Sequence, residues 1–110
     1  MASTKGYLDF ILEQLSDLDE ISFRAMMGEY ILYYRGKIIG GIYDDRLLVK
    51  SVPAAVRMIP DAAMELPYEG AKEMLLVEDV DDRQLLCQLV RDMWEELPGK
   101  KASGRRAAGR

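Results

Sequence analysis

The fold is decided by residues 23–50, which read FRAMMGEYILYYRGKIIGGIYDDRLLVK. Residues that favour β-strands fill this segment, and Arg35-Gly36 and Asp44-Asp45-Arg46 interrupt it where tight turns are expected. Gly28 breaks or bulges the first strand. The segment therefore predicts a meander of short antiparallel strands. The predicted strands are residues 21–27, 29–34, 37–43 and 47–50.

Both faces of the predicted sheet are apolar, because side chains alternate between faces along a strand. In the second strand the alternation places Tyr30, Leu32 and Tyr34 on one face, and Ile31 and Tyr33 on the other. In the third strand Ile38 and Ile42 flank Gly40 on one face, and Ile39 and Tyr43 flank Gly41 on the other. An antiparallel sheet with one solvated face shows polar residues at alternate positions. We therefore expect both faces to be covered, and the adjacent glycines to permit a bulge, strong coiling or the close approach of another element.

Helical periodicity appears on either side of this segment. Leu8, Ile11, Leu12 and Leu15 form one apolar stripe, which predicts a helix capped by Ser3 or Thr4 and ending near Ser16. A short helix over residues 54–58 and a strand over 72–77 follow the meander. A last helix, capped by Asp79 or Asp81 with Asp82 in its first turn, runs to Leu97. The fold class is α+β, a two-layer antiparallel sheet with flanking helices in the order α-β-β-β-α-β-α.

Length and charge indicate one small domain with a basic extension. The chain has 110 residues, enough for one hydrophobic core, which we place in residues 1–98. Residues 1–98 carry 10 Lys and Arg against 19 Asp and Glu, a net charge of −9. Residues 99–110 are rich in Gly and Ala, and we expect them to be disordered. The tail holds five positive side chains and no negative ones: Lys100, Lys101, Arg105, Arg106 and Arg110.

The composition excludes several kinds of chemistry. The chain has no histidine, so it holds no Ser-His or Cys-His nucleophile pair and no Cys/His zinc site. The single cysteine, Cys87, is more typical of an inert thiol than of a redox sensor, because no nearby Lys or Arg is evident. The acidic run 78–82 lacks the glycine and terminal glutamate of an EF-hand loop, which favours helix capping over Ca²⁺ or Mg²⁺ binding. We predict no catalytic, cofactor-binding or metal-binding residues.

The meander also carries a family pattern. Arg24-x-Met26-x-Gly28-x-Tyr30, Tyr34-x-Gly36 and Asp44-x-x-Leu47-x-x-Lys50 resemble the N-terminal domain of TfoX (Sxy), the bacterial competence regulator, over roughly residues 5–97. The resemblance implies an α+β fold like that of type III secretion chaperones, whose members often form dimers, and it implies no catalytic residues. Family members commonly continue with Phe-Gly-Gly after the methionine, where this chain has Met27-Gly28-Glu29. The larger regulators carry a second helical domain, so we expect a stand-alone N-terminal domain here.

Two interpretations stay open for the residues that the pattern marks. Arg24 suits bidentate pairing with the carboxylate of a partner or with an anionic ligand, or else an internal salt bridge. The aromatic and glycine positions suit either core packing or a subunit interface, whereas the acidic body disfavours stacking on nucleic acid. The candidate partner-binding residues are Arg24, Tyr30, Tyr33, Tyr34, Gly40, Gly41 and Tyr43.

These observations predict a non-catalytic cytoplasmic regulatory module that acts through protein–protein contacts as a homodimer. The predicted dimer contact buries the second face of the sheet, with tyrosines, isoleucines and the Gly40-Gly41 strand at the contact. A regulatory protein partner of unknown identity is expected, and no membrane association. The alternative is a nucleic-acid-associated transcription or competence regulator whose basic tail supplies affinity. A small enzyme or ligand sensor would need a pocket lined by Arg24, Tyr30 and acidic residues.

Overall fold

The computed structural model describes residues 3–98, and the tail predicted to be disordered and basic lies outside them. Three helices and six strands follow one another within this range. The helices are α1 (Lys5–Gln14), α2 (Pro53–Met58) and α3 (Arg83–Trp94). The strands are β1 (Ile21–Met26), β2 (Glu29–Tyr34), β3 (Lys37–Tyr43), β4 (Arg46–Val49), β5 (Met64–Glu65) and β6 (Met74–Val77).

All six strands form one antiparallel sheet in the spatial order β1-β2-β3-β4-β6-β5. The α+β class and the helices flanking an antiparallel sheet are confirmed. The predicted element order was wrong in its number of strands. It counted three strands between α1 and α2, although the sequence marks all four, and it lacked the two-residue strand β5, which lies between the predicted helix 54–58 and the predicted strand 72–77.

Three successive hairpins explain the compact meander. Each has a two-residue turn in which both residues have positive φ, the backbone of a type I′ turn, whose twist matches that of paired strands. Gly28 therefore closes a hairpin instead of bulging a strand. The turn residues are Met27-Gly28, Arg35-Gly36 and Asp44-Asp45.

A β-bulge in β3 changes which residues share a face. Leu32 pairs with Gly40 but the next residue, Tyr33, pairs with Ile38, so Ile39 is the extra residue. As a result Ile39 and Ile42 are both buried in the core under the helices, whereas Ile38 lines a groove on the opposite face. The predicted facing of Ile38 and Ile39 was therefore wrong, because strict alternation fails across a bulge.

The main core lies between the sheet and all three helices, on one face of the sheet. Side chains of α1, α2 and α3 pack there against Leu32, Ile42 and Leu47. The Thr4 hydroxyl caps α1 by accepting from the backbone N–H of Tyr7 at 3.2 Å. Asp82 caps α3 by accepting from Leu85 N–H at 3.0 Å, one residue later than predicted. No helix in residues 3–98 is both long and apolar enough to cross a bilayer.

Candidate protein interaction surface

The second face of the sheet is covered only at one end. There Tyr43, Leu48 and Met74 form a small second core, and the ring of Tyr68 approaches that of Tyr43 with 6.2 Å between centroids. Tyr68 belongs to the connection between β5 and β6, so the cover is a loop of the chain itself. The sequence predicted that this apolar face must be covered. It did not predict that the loop of residues 66–73 would cover part of the face.

A groove of about 520 Å³ opens where this loop stops covering the sheet. It is lined by the apolar side chains of Met26, Ile31, Ile38 and Met74 from the sheet and by Tyr68 from the loop. Lys50, Lys72, Glu73 and Glu96 also line it. The groove can accept an apolar side chain or strand.

The two adjacent glycines of β3 allow the close packing beneath this groove. A Cβ on Gly40 would lie 2.1 Å from the carbonyl oxygen of Leu48. A Cβ on Gly41 would lie 2.6 Å from the carbonyl oxygen of Tyr30 and 2.7 Å from the ring of Tyr43. Close approach by a neighbouring strand and ring, together with the bulge, accounts for both glycines.

The structure separates the candidate partner-binding residues by accessibility. Tyr34, Gly40, Gly41 and Tyr43 are buried inside the domain, with Tyr43 only 6% exposed. Burial raises the pKa of the Tyr43 phenol above its ordinary value, and the nearby Tyr68, Glu29 and Tyr33 add to the effect. These four residues act first as packing groups of the domain.

The other three candidates lie towards the open end of the sheet. Arg24 is exposed, whereas Tyr30 and Tyr33 are half-buried. Tyr30 pairs with Ala25 and Arg24 pairs with Ile31, so Arg24 and Tyr30 lie on opposite faces. No ion pair forms to Arg24 within residues 3–98, so the alternative of an internal salt bridge is wrong for the described chain. The pocket of Arg24, Tyr30 and acids that an enzyme would need is therefore not assembled.

Strand β1 is the least protected element of the sheet. From Ser22 to Met26 every residue is exposed, including Phe23 at 44% and Met26 at 37%. Phe23 contacts Tyr30 in an edge-on arrangement with 5.9 Å between ring centroids. The candidates chosen from the sequence did not include Phe23 or Met26. Polar and apolar residues do not alternate clearly over residues 21–27, which is a signal of a strand that the core does not cover.

A second groove, of about 500 Å³, lies beside β1 on the helix side. Leu12, Leu15 and Leu18 form its wall on the side of α1, and Ile21 and Phe23 form its wall on the strand. An added strand at this edge would place side chains against that wall. The free edge and its adjoining groove make one surface that is apolar in large part, with Ser16, Glu20, Ser22 and Arg24 as its polar members. We call it the β1 edge surface (residues 21–26 with Leu12, Leu15 and Leu18).

The groups that could carry other chemistry are placed for structural roles. The Cys87 thiol is buried, and burial raises its pKa, with the nearby carboxylate of Asp17 adding to the effect. The premise that no arginine lies nearby was wrong, because Arg91 and Arg83 are close enough to lower this pKa, although the net direction stays upward. A raised pKa lowers the thiolate fraction that a nucleophile or redox sensor needs. In residues 3–98 no group of three His, Cys, Asp or Glu side chains comes together to hold a metal ion.

Comparison with known proteins identifies the family of this domain. The family model of the TfoX N-terminal domain matches residues 13–97, from the last residues of α1 to just beyond α3. The chain belongs to the TfoX N-terminal domain family. It is also 29% identical over 102 residues to a protein of Spirochaeta aurantia described as an uncharacterized 12.7 kDa protein in the trpE 5′ region. That alignment covers 92% of this chain and 89% of the relative.

The family match includes the whole sheet and α3 and all of the β1 edge surface except Leu12, so most of that surface belongs to the shared domain. Neither matched description names an enzymatic activity. No solved structure matches this TfoX N-terminal domain.

Proposed function

We propose that this TfoX N-terminal domain protein is a non-catalytic regulatory module of the cytoplasm that acts through protein–protein contacts as a homodimer. The observation that carries the proposal is the β1 edge surface, where a whole strand with Phe23 and Met26 is exposed at the side of an otherwise well-covered sheet. Exposed edge strands pair readily with another chain, and native proteins normally block such edges.

The sequence-based form of this idea placed the dimer contact on the second sheet face, with the tyrosines and the Gly40-Gly41 strand. The structure supports a shift of that contact towards β1, because Tyr43 and both glycines are already packed within the domain. Arg24, the exposed family-pattern residue, lies on this same strand.

The experiment is a measurement of mass in solution. Sedimentation velocity and multi-angle light scattering at 1, 10 and 100 µM would show a species of twice the 12.5 kDa chain mass if the proposal holds. A mass of one chain at every concentration would contradict the homodimer. A point variant of the β1 edge that turns the dimer into a folded monomer would identify the surface.

The basic tail favours a second candidate, a nucleic-acid-associated regulator. Five positive charges follow an acidic body of net charge −9, so the tail would have to supply any attraction to phosphates. A chain ending at Pro98 is then expected to lose nearly all binding to duplex DNA in low salt. Equal binding by the full and shortened chains would refute a role for the tail.

A further inference from the structure

The two edges of the sheet differ sharply in how they are protected. In residues 3–98 the sheet ends on one side at β5, which has two residues, and on the other at β1, which has six. A very short edge strand is a common device against unwanted pairing, and lysine or proline on the edge are others. Strand β1 has neither residue, and its single charge is Arg24.

The backbone groups that β1 leaves unpaired can be assigned. The N–H of Arg35 donates to the carbonyl of Glu20 at 3.1 Å, so the backbone of Glu20 faces β2. Backbone groups alternate in direction along an antiparallel strand, so Ser22, Arg24 and Met26 also face β2. The N–H and C=O groups of Ile21, Phe23 and Ala25 therefore point away from the sheet.

We propose that this edge pairs with the β1 edge of a second copy, antiparallel and centred on Phe23, so that two six-stranded sheets become one. The proposal rests on the proposed function, because it specifies the surface of the homodimer. A twofold axis perpendicular to the sheet places the helices of both copies on the same side of the joined sheet. Such an axis requires one residue of β1 to lie directly opposite the same residue of the second copy. Centring on Phe23 sets Ile21 opposite Ala25 and uses all three outward residues, which gives six hydrogen bonds between copies. Centring on Ser22 or Arg24 would give only four hydrogen bonds between the copies.

Charge favours the same register. Centring on Arg24 would place two guanidinium groups directly opposite each other, which destabilises a strand pair. Centring on Phe23 sets each Arg24 opposite Ser22 of the second copy and diagonal to its Glu20, whose carboxylate also pairs with Arg35 of its own chain at 3.4 Å. Diagonal neighbours lie about 7–8 Å apart, within reach of long side chains. Residues 1–98 as a whole repel a second copy at net −9, whereas β1 contains no acidic residue.

The apolar contacts also favour this register. Phe23 points to the helix side of the sheet, since it pairs with the core residue Leu32. Phe23 of the second copy would then lie beside it, over the wall formed by Leu12, Leu15 and Leu18. The two exposed rings would bury each other and occupy part of the groove next to β1.

The experiment is disulfide trapping of the full chain in a Cys87→Ala background, with Phe23→Cys and Ala25→Cys as a matched pair. Opposed residues of a hydrogen-bonded pair have Cα atoms about 5.5 Å apart, which suits a disulfide. The two copies of Ala25 would instead be about 14 Å apart, at about 3.4 Å per residue. We expect a covalent dimer with Phe23→Cys and at least tenfold less with Ala25→Cys.

Two further variants test the register by opposite effects on the dimer dissociation constant. Ala25→Pro removes an outward N–H that the β1–β2 ladder does not use, and should weaken the dimer at least tenfold while circular dichroism stays unchanged. Ser22→Asp sets a carboxylate opposite Arg24 of the second copy and should tighten the dimer about threefold at low salt. Adding Arg24→Gln to Ser22→Asp should remove that gain.

The outcomes distinguish a failure of the β1 pairing from a failure of the homodimer itself. A wild-type dimer that shows no Phe23→Cys crosslink, or equal crosslinking at positions 23 and 25, overturns the β1 pairing and leaves dimerisation standing. A wild-type monomer at 100 µM without a crosslink overturns both. If Ser22→Asp weakens the dimer while Phe23→Cys crosslinks, the register is wrong.

Discussion

The hydroxyl of Ser3 donates a hydrogen bond of 2.6 Å to the carboxylate of Glu29. The same carboxylate oxygen accepts from the backbone N–H of Ser3 and of Asp44, each at 3.1 Å. The chain before α1 is thereby joined to the start of β2 and to the turn between β3 and β4. Because Asp45 also accepts from Thr4 N–H at 2.8 Å, the start of α1 is held against two hairpin ends.

Glu29→Ala should lower the free energy of unfolding by about 2 kcal/mol, because it leaves three donors without their charged acceptor. Urea unfolding at pH 7 measures the change. Glu69→Ala, which removes an exposed glutamate from the loop between β5 and β6, is the matched control and should change stability by less than about 0.5 kcal/mol. Equal effects of the two variants would contradict the structural role of Glu29.

Gly40→Ala and Gly41→Ala should each destabilise the domain by more than about 2 kcal/mol, because their added methyl groups meet backbone atoms that cannot move independently. Gly6→Ala is the control, since that glycine lies in α1 with nothing within 4 Å of its Cβ position. There the change should stabilise the protein by about 0.5–1 kcal/mol. Thermal unfolding followed by circular dichroism would rank the three variants.

Lys37→Gln should destabilise the domain by about 1 kcal/mol and alter the emission of Trp94, the single tryptophan. The Lys37 ammonium lies 4.0 Å from the centroid of the Trp94 ring and donates to its carbonyl at 3.0 Å. Lys5→Gln removes an exposed helical ion pair with Asp9 and serves as control, with an expected cost under about 0.5 kcal/mol. An unchanged fluorescence spectrum in Lys37→Gln would argue against the cation–π contact.

Stability should fall as the solution becomes alkaline. The pKa values of Cys87, Tyr7 and Tyr43 are all raised in the folded protein, chiefly by burial, from ordinary values of 9.0, 10.0 and 10.0. The unfolded chain therefore releases these protons first. The contribution of the protonated groups is complete below the unfolded pKa values and is lost as pH rises through the folded ones.

Urea unfolding at pH 7, 9 and 10.5 tests this direction. Tyr43→Phe should show a shallower decline above pH 9 than wild type, because one of the three groups no longer titrates. Comparison at pH 7, where all three groups are protonated in both states, gives the cost of the substitution itself. A domain whose stability rises between pH 9 and 10.5 would contradict the assignment.

Local signals predicted the elements well where they were strong. The bounds of β2 and β3 match the predicted strands, because β-forming residues are dense there and Arg35-Gly36 is a strong hairpin signal. The cap of α3 was misplaced by one residue among several aspartates that all suit an N-cap. The strand β5 has only two residues, too few to give any alternation.

The candidate site was less predictable. Alternation correctly indicated two apolar faces, but it could not show that the loop 66–73 covers Tyr43 or that β1 lies at an edge. Both depend on contacts between residues far apart in sequence. Arg24 was selected from the family pattern, and only the pairing of β1 with β2 shows that Tyr30 lies on the other face.

The sequence by itself determined the class of the fold, two of the three hairpin turns and the surplus of apolar surface on the sheet, because turn preference and side-chain alternation are local properties. Only the tertiary structure decided which part of that surface stays open. The bulge at Ile39, the loop over Tyr43 and the order of strands in the sheet arise from packing across the whole domain. That packing covers one end of the second face and leaves β1 free at the other.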